Sequence, residues 1–319
     1  MEEQSTPILS QAAKRWNPFQ RAGNPVILKE LRGRMRGRQA VVLLTGYLAL
    51  IGLIVGIIYM TLAAQSYSPY SPNPEYRQTI GKAIFSVVVM MELFMVSLIG
   101  PSLTAGAIAS ERERQTLEIL RTTALSARSL VLGKLGASLA YLLLLIIAVV
   151  PIEGIAFFLG GVGLEEVLVS SLMLVVTAIF YCSLGLYFSS FMKRASGANV
   201  ASYVTIVLSY IVIALIFYGL TMAETALNRS NGSTNSAVAL NTFLGIVLWI
   251  LVSINPLLSA AVSETILVGE QSLWTTTTTL FGNQTMTLPS PWITYTLIYI
   301  LLSLLMIALS IRFVNRPEK

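Results

Sequence analysis

Long apolar runs are the feature that most constrains how this chain can fold. Several of them reach roughly 20 residues, the length at which a helix spans the hydrocarbon core of a bilayer. The 319 residues are 55% hydrophobic and 11% charged, whereas soluble proteins are about 25% charged. The runs lack the alternation that is typical of barrel strands. We therefore expect an all-α polytopic membrane protein.

Five apolar runs in the first part of the chain and one at its end predict six transmembrane helices. They lie at about 40–62, 83–105, 131–159, 166–191, 199–222 and 292–313, and we expect Gly160, Gly161 and Gly163 to end the third. A further apolar stretch at 240–254 is short and is followed by Asn255 and Pro256, which favours a re-entrant element at 240–262 over a full span. The threonine run at 275–279 and the Gly-Asn pair at 282–283 predict a strand and a turn.

These elements divide the chain into four parts. We expect a cytosolic tail and interfacial helix at 1–39, five transmembrane helices with a cytosolic loop (106–130) at 40–222, an extracytoplasmic segment at 223–291, and the sixth helix with a cytosolic C-terminus at 292–319. The distribution of basic residues supports this topology. Six spans leave Arg77, Lys82 and Arg229 outside and all other Lys and Arg inside, whereas seven spans move the basic C-terminus outside. The positive-inside rule favours six.

A cluster of charges separates the second and third runs. Its members are Glu111, Arg112, Glu113, Arg114, Glu118 and Arg121. Each Asp, Lys or Arg at mid-bilayer costs about 2.5–3.5 kcal/mol, so this stretch lies in water. Ser110 and Glu113 fit a capping box, Leu117 and Leu120 share a helical face, and Ser126 can cap the next helix. We interpret the stretch as a short helix with exposed leucines that docks a cytosolic partner; an ordinary solvated loop helix is the alternative.

A second amphipathic helix is predicted just before the first span. Asn24 and Pro25 are a helix start, after which apolar residues follow one face and basic residues cover the rest. Such a helix lies in the headgroup layer of the inner leaflet, in contact with membrane lipid. Alternatively, these basic residues are only the positive charge that flanks the first span on its cytosolic side. The net charge of +6 is explained by orientation and lipid contact, so we expect no nucleic-acid partner.

Two acids, Glu92 and Glu153, fall inside predicted spans, where an ionisable side chain is functional by default. They are candidate residues of a transport pathway; a neutral, hydrogen-bonded packing role is the alternative for Glu92. The spacing of Gly52 and Gly56 in the first span permits close helix approach.

Several kinds of chemistry are excluded by composition. The chain has no His and one Cys, Cys182, so it has no Ser-His-Asp or Cys-His pair, no zinc helix and no intrachain disulfide. We expect no catalytic, cofactor or metal site. The phosphate loop is also absent, because Gly133-Lys134 is followed by Leu135 rather than by Ser or Thr. The chain itself is therefore not an ATPase.

Three features resemble the ABC-2 type permeases, the membrane subunits of ATP-binding-cassette exporters. Asn24-Pro25 with Glu30-Leu31 and the basic run after it resembles the interfacial elbow helix of that family. The 111–120 segment resembles its first cytosolic loop, and Gly133-Lys134 resembles the start of its third span. With the six-span plan, the resemblance covers nearly the whole chain.

The resemblance implies a half-transporter, in which two identical or related permeases form the pathway and two ATPase subunits bind ATP and Mg. The coupling residues would be Glu111, Arg114, Thr116, Leu117, Glu118 and Leu120. The elbow helix would include Asn24, Pro25, Glu30, Leu31 and Arg34. It also implies a location in a prokaryotic plasma membrane, in which the positive-inside rule predicts that both termini lie in the cytosol.

Other functions remain open from the sequence. An intramembrane enzyme needs a catalytic pair within the spans, and the lack of His with only scattered acids argues against it. A non-transporting membrane anchor would recruit a cytosolic partner through the same charged helix. The spans carry few polar residues, which weakly favours an amphiphilic or apolar cargo such as a lipid, lipid-linked glycan or peptide over a small ion.

Overall fold

The computed structural model describes residues 30, 31, 33, 38–65, 74–117, 126–230, 235–270, 273–278 and 286–315. Its helices are α1 (Arg38–Gln65), α2 (Pro74–Thr104), α3 (Ala109–Glu113), α4 (Ala127–Leu159), α5 (Leu164–Phe191), α6 (Ala195–Ser230), α7 (Asn235–Ile254), α8 (Pro256–Glu270) and α9 (Pro291–Asn315). Strands β1 (Thr275–Thr278) and β2 (Met286–Pro289) pair antiparallel. Within these residues, six helices are long and apolar enough to cross a membrane, namely α1, α2, α4, α5, α6 and α9. The prediction of an all-α polytopic membrane protein is confirmed.

Helix α5 lies at the centre of the bundle and packs against α2, α4 and α9. An aromatic cluster joins α5 to α9, with the rings of Phe180 and Tyr299 centred 4.4 Å apart and those of Tyr295 and Tyr299 4.1 Å apart. The hydroxyl of Tyr295 shares a 2.6 Å hydrogen bond with Thr177. By contrast, α1 and α6 leave most of their apolar side chains exposed, as expected of helices that face lipid.

Close backbone contact joins α2 to α5. A Cβ added at Gly185 would lie 2.9 Å from the Cα of Pro101, so only glycine fits there. Gly52 and Gly56 behave differently, because an added Cβ at either would meet nothing within 4 Å. Among the described residues of this chain, no other helix therefore approaches these two glycines closely.

Helices α7 and α8 form a sharply bent pair. Their apolar parts meet at an angle of 110°, at the Asn255-Pro256 break that the sequence indicated. The side chain of Asn255 caps α8 by accepting hydrogen bonds from the N–H groups of Leu257 (2.9 Å) and Leu258 (3.2 Å). The hydroxyl of Tyr299 donates to the carbonyl of Ile254 at 2.9 Å. This bend is consistent with the re-entrant element expected at 240–262.

Two other local predictions are confirmed. The hydroxyl of Ser126 caps α4 by accepting a hydrogen bond from the N–H of Ser129 at 3.2 Å. Gly160 and Gly161 follow α4 with φ angles of 88° and 89°, a backbone conformation that favours glycine. The glycine-rich segment therefore ends this helix, as expected.

Candidate functional site

The charged stretch after α2 folds into the short helix α3. A turn at residues 105–108 connects the two helices, with the N–H of Ala107 donating to the carbonyl of Thr104 at 3.0 Å. Helix α3 spans only Ala109–Glu113, and Gln115 just after it has a φ of +58°. A single turn of helix has little stability of its own. It must therefore be held by contacts with the rest of the chain.

Hydrogen bonds fix α3 to the ends of α5 and α6. The hydroxyl of Ser189 accepts from the N–H groups of Ile108 and Ala109, both at 2.9 Å. The guanidinium of Arg112 donates to the carbonyls of Ser190 and Met192, also at 2.9 Å. These carbonyls belong to the C-terminal end of α5, where a positive charge is favourable because the helix dipole is negative there.

The opposite charge lies at the start of α6. A carboxylate oxygen of Glu113 accepts a hydrogen bond from the N–H of Ala195 at 3.3 Å, at the positive end of that helix dipole. Two neighbouring residues of α3 thus contact two helix ends of opposite polarity. These hydrogen bonds therefore hold the α5–α6 connection and α3 together.

A buried ion cluster joins α3 to α4 and to the N-terminal segment. The ammonium of Lys134 lies 2.8 Å from a carboxylate oxygen of Glu30 and 2.8 Å from one of Glu111. The Lys134 side chain is 3% exposed, whereas the two glutamates are about a quarter exposed. A buried ammonium is stable only when it is paired and hydrogen-bonded. Lys134 therefore holds three separate segments of the chain together at one end of the bundle.

A second cluster lies within the membrane-spanning part. Glu92 of α2 and Glu153 of α4 are 1% and 5% exposed, and their carboxyl groups interact with each other. The hydroxyl of Tyr47 on α1 donates to Glu92 at 3.4 Å. One oxygen of each carboxyl group has no hydrogen-bond partner. The structure brings both predicted intramembrane acids together between three spans.

Comparison with protein families then identifies the chain. Residues 25–316 match the family described as ABC-2 family transporter protein, so the match includes Lys134, helix α3 and both acids. The chain belongs to the ABC-2 transporter family. It is the permease, or membrane subunit, of an ABC transporter, a role that implies association with ATP-binding-cassette subunits. No curated protein matches the sequence.

The predicted coupling residues of this ABC-2 permease differ in their environment. Glu111 belongs to the Lys134 cluster, and Arg114 and Thr116 are exposed beside it. Leu117 is 2% exposed, so the expectation of an exposed apolar face at this residue is wrong: the side chain packs in the protein's own core. Leu120 and Glu118 lie outside the described residues.

The expected capping box is also absent from α3. The helix begins after Ile108, with no side-chain cap, because the N–H groups of Ser110 and Arg112 donate to the backbone carbonyls of Gly106 and Ile108, both at 3.0 Å. Of the predicted elbow residues, Glu30 and Leu31 are described, and both are half-buried. Asn24, Pro25 and Arg34 lie outside the described residues.

Three residues that hold the permease's short helix in place were not predicted from the sequence. From the sequence, Lys134 is only part of a family pattern, and neither Arg112 nor Ser189 has a specific role. A signal for Lys134 existed, since a lysine inside an apolar run needs an acidic partner and the nearest acid-rich segment contains Glu111. Ser189 carried no such signal, because serine occurs throughout these spans.

Proposed function

We propose that this permease is one half of an exporter, in which a second, identical or related permease completes the substrate pathway. Two ATPase subunits dock at the end of the bundle that carries α3 and supply ATP and Mg. Nucleotide-driven closure of those subunits moves α3. The spans follow and open the pathway on the opposite side of the membrane.

The observation that carries this proposal is the attachment of α3 to several spans at once. It is bonded to α4 through Lys134, to α5 through Arg112, and to α6 through Glu113. Packed and ion-paired elements move as units rather than deforming continuously. A force on α3 is therefore transmitted to three helices, which is the property that a coupling helix requires.

The docking surface that we propose is polar. Arg114, Gln115 and Thr116 are exposed after α3, whereas Leu117 points into the protein. A partner would meet a charged and hydrogen-bonding tip instead of an apolar face. Such contacts favour fast, reversible and salt-sensitive association.

The distribution of charge supports a cytosolic location for this tip. The described basic residues near α3 include Arg112, Arg114, Lys134, Lys193 and Arg194, whereas Arg77 and Lys82 lie near the other end of α2. Basic residues accumulate on the cytosolic side of membrane proteins. We therefore place both termini in the cytosol, in a prokaryotic plasma membrane.

Co-purification from the native host tests the proposal. An ATPase with a phosphate loop should co-purify with the tagged wild-type permease in mild detergent. Charge reversal by Arg114→Glu should reduce its recovery at least tenfold. The matched control is Arg77→Glu, which reverses an equally exposed charge at the other end of α2 and should leave recovery unchanged.

Two outcomes would contradict the proposal. If no ATPase co-purifies with the wild type, the hypothesis of an exporter loses its support. A non-transporting membrane anchor then becomes the better explanation. If Arg114→Glu and Arg77→Glu reduce recovery equally, the ATPase docks elsewhere.

A further inference from the structure

The paired strands β1 and β2 lie at the end of the bundle opposite α3. Helix α9 shows which end this is. Near its C-terminus, the ring of Phe313 is centred 5.8 Å from that of Phe191, the last residue of α5, whose C-terminal end binds α3. The strands lie beside the other end of α9, since β2 ends at Pro289 and α9 begins at Pro291. They are therefore located where this span leaves the membrane.

Two indole N–H groups hold the paired strands on the bundle. The indole of Trp249, on α7, donates to the carbonyl of Pro289 at 3.1 Å. The indole of Trp292, in the first turn of α9, donates to the carbonyl of Leu273 at 2.9 Å. Both tryptophan side chains are buried. The strands are thus fixed in position relative to α7 and α9.

One face of the paired strands points towards the bundle. Successive side chains of a strand point to opposite faces. Thr276 of β1 is fully buried, whereas its neighbour Thr275 is exposed. The pairing continues one residue beyond β1, because the N–H of Ser290 donates to the carbonyl of Trp274 at 3.0 Å. Trp274 therefore lies on the same face as Thr276, which is the face towards the bundle.

The side chain of Trp274 lies on this face and yet is not covered by the protein. It is 66% exposed, and its ring is centred 5.8 Å from that of Trp292, the second residue of α9. The 25 residues of α9 extend roughly 37 Å at about 1.5 Å per residue, which exceeds the hydrocarbon core of about 30 Å. The ends of α9 therefore reach the headgroup layers, and Trp274 lies at the level of one of them.

The phospholipid headgroup layer is the partner that fits an exposed tryptophan at this level. Indole combines a large apolar ring with a polar N–H, and tryptophan is enriched at membrane–water interfaces. A ring left in water would forfeit the burial of its apolar area. Further along α9, Leu297 and Leu301 are also exposed, as expected of a helix that contacts lipid. The exposed indole therefore continues a lipid-facing surface to the membrane boundary.

We propose that the side chain of Trp274 lies in the phospholipid headgroup layer and anchors the paired strands to the membrane surface. The anchor extends to the bent pair, because Trp249 links β2 to α7. In addition, the hydroxyls of Ser253 and Thr294 share a 2.6 Å hydrogen bond between α7 and α9. The lipid contact thus fixes the depth of the bent pair in the bilayer. This contact depends neither on transport nor on the ATPase subunits.

Fluorescence quenching of the full-length permease in phosphatidylcholine vesicles tests the contact. The quenchers are lipids brominated near the headgroup, lipids brominated near the bilayer centre, and aqueous iodide. Subtraction of the emission of Trp274→Phe from that of the wild type isolates the signal of Trp274. We expect bromine near the headgroup to quench this signal at least twice as strongly as either other quencher. The matched control is Trp249→Phe, whose difference signal comes from a buried indole and should respond weakly to all three.

Nitroxide labels on adjacent residues give a second measurement that does not require the tryptophan. Trp274→Cys and Thr275→Cys place the label on opposite faces of the strand, and the buried Cys182 should not react. We expect oxygen, which partitions into lipid, to reach the label at position 274 more readily. A water-soluble nickel complex should reach the label at position 275 more readily. Size-exclusion chromatography checks that each variant is folded.

Three outcomes would overturn the proposal. Quenching of the Trp274 signal mainly by iodide, or mainly by bromine at the bilayer centre, would place the ring in water or in hydrocarbon. Quenching by none of the three would show that another protein surface, such as a second permease, covers the ring. Equal or greater access of the nickel complex to the label at position 274 would place this position on a face towards water.

Discussion

At the scale of single residues, Lys134 has the most consequential environment in the described part of the chain. Its buried ammonium bonds two carboxylates from distant segments at 2.8 Å. Removal of one partner of a buried ion pair costs about 3–5 kcal/mol. Because Glu30 and Glu111 are partly exposed, water can solvate them, and we expect a loss of about 2 kcal/mol for Lys134→Met.

Thermal unfolding of the purified permease measures this loss. The control is Arg128→Met, which removes an exposed charge from the first turn of the same helix. In the reconstituted complex, Lys134→Met should also reduce the stimulation of ATP hydrolysis by cargo, because α3 is then detached from α4. Equal melting temperatures for the two variants would contradict the structural role of Lys134.

The effect of replacing Glu92 distinguishes the hypothesis of a transporter from that of a non-transporting anchor. Glu92→Gln preserves the size of the side chain and offers an N–H donor to Glu153, so the fold should remain stable. If the acid pair belongs to the transport pathway, ATP-dependent transport should fall at least tenfold. Transport in proteoliposomes and unfolding temperature are the measurements. Unchanged transport would indicate that Glu92 is a packing residue.

At the scale of elements, the contact between α2 and α5 depends on one glycine. A Cβ at Gly185 would lie 2.9 Å from the Cα of Pro101 and 3.1 Å from its carbonyl oxygen, and backbone atoms cannot move aside locally. Overpacking of this kind costs about 1–3 kcal/mol. Gly185→Ala should lower the unfolding temperature, whereas Gly56→Ala, with open space around it, should leave it unchanged or raise it slightly. If Gly185→Ala leaves the unfolding temperature unchanged, the two helices can separate easily at this contact.

The elements also show what the sequence could and could not predict. Apolar length predicted the spans, and the Asn255-Pro256 break predicted the bend, because both are local properties. The structure extends α2 back to Pro74 and α6 on to Ser230, since polar residues continue a helix beyond the apolar run. The burial of Leu117 and the role of Ser189 were not predictable, because each depends on a partner that is distant in sequence.

At the scale of the whole molecule, orientation is the property on which the coupling proposal depends. From the positive-inside rule we expect α3 and the start of α4 in the cytosol and the start of α5 outside. The chain suits cysteine labelling, because its single cysteine, Cys182, is buried and wild-type protein should not react. With a membrane-impermeant maleimide on intact cells, Glu165→Cys should be labelled. Arg128→Cys, equally exposed, should be labelled only after permeabilisation. The reverse pattern would place α3 outside, where no cytosolic ATPase could reach it, and would contradict both the orientation and the coupling proposal.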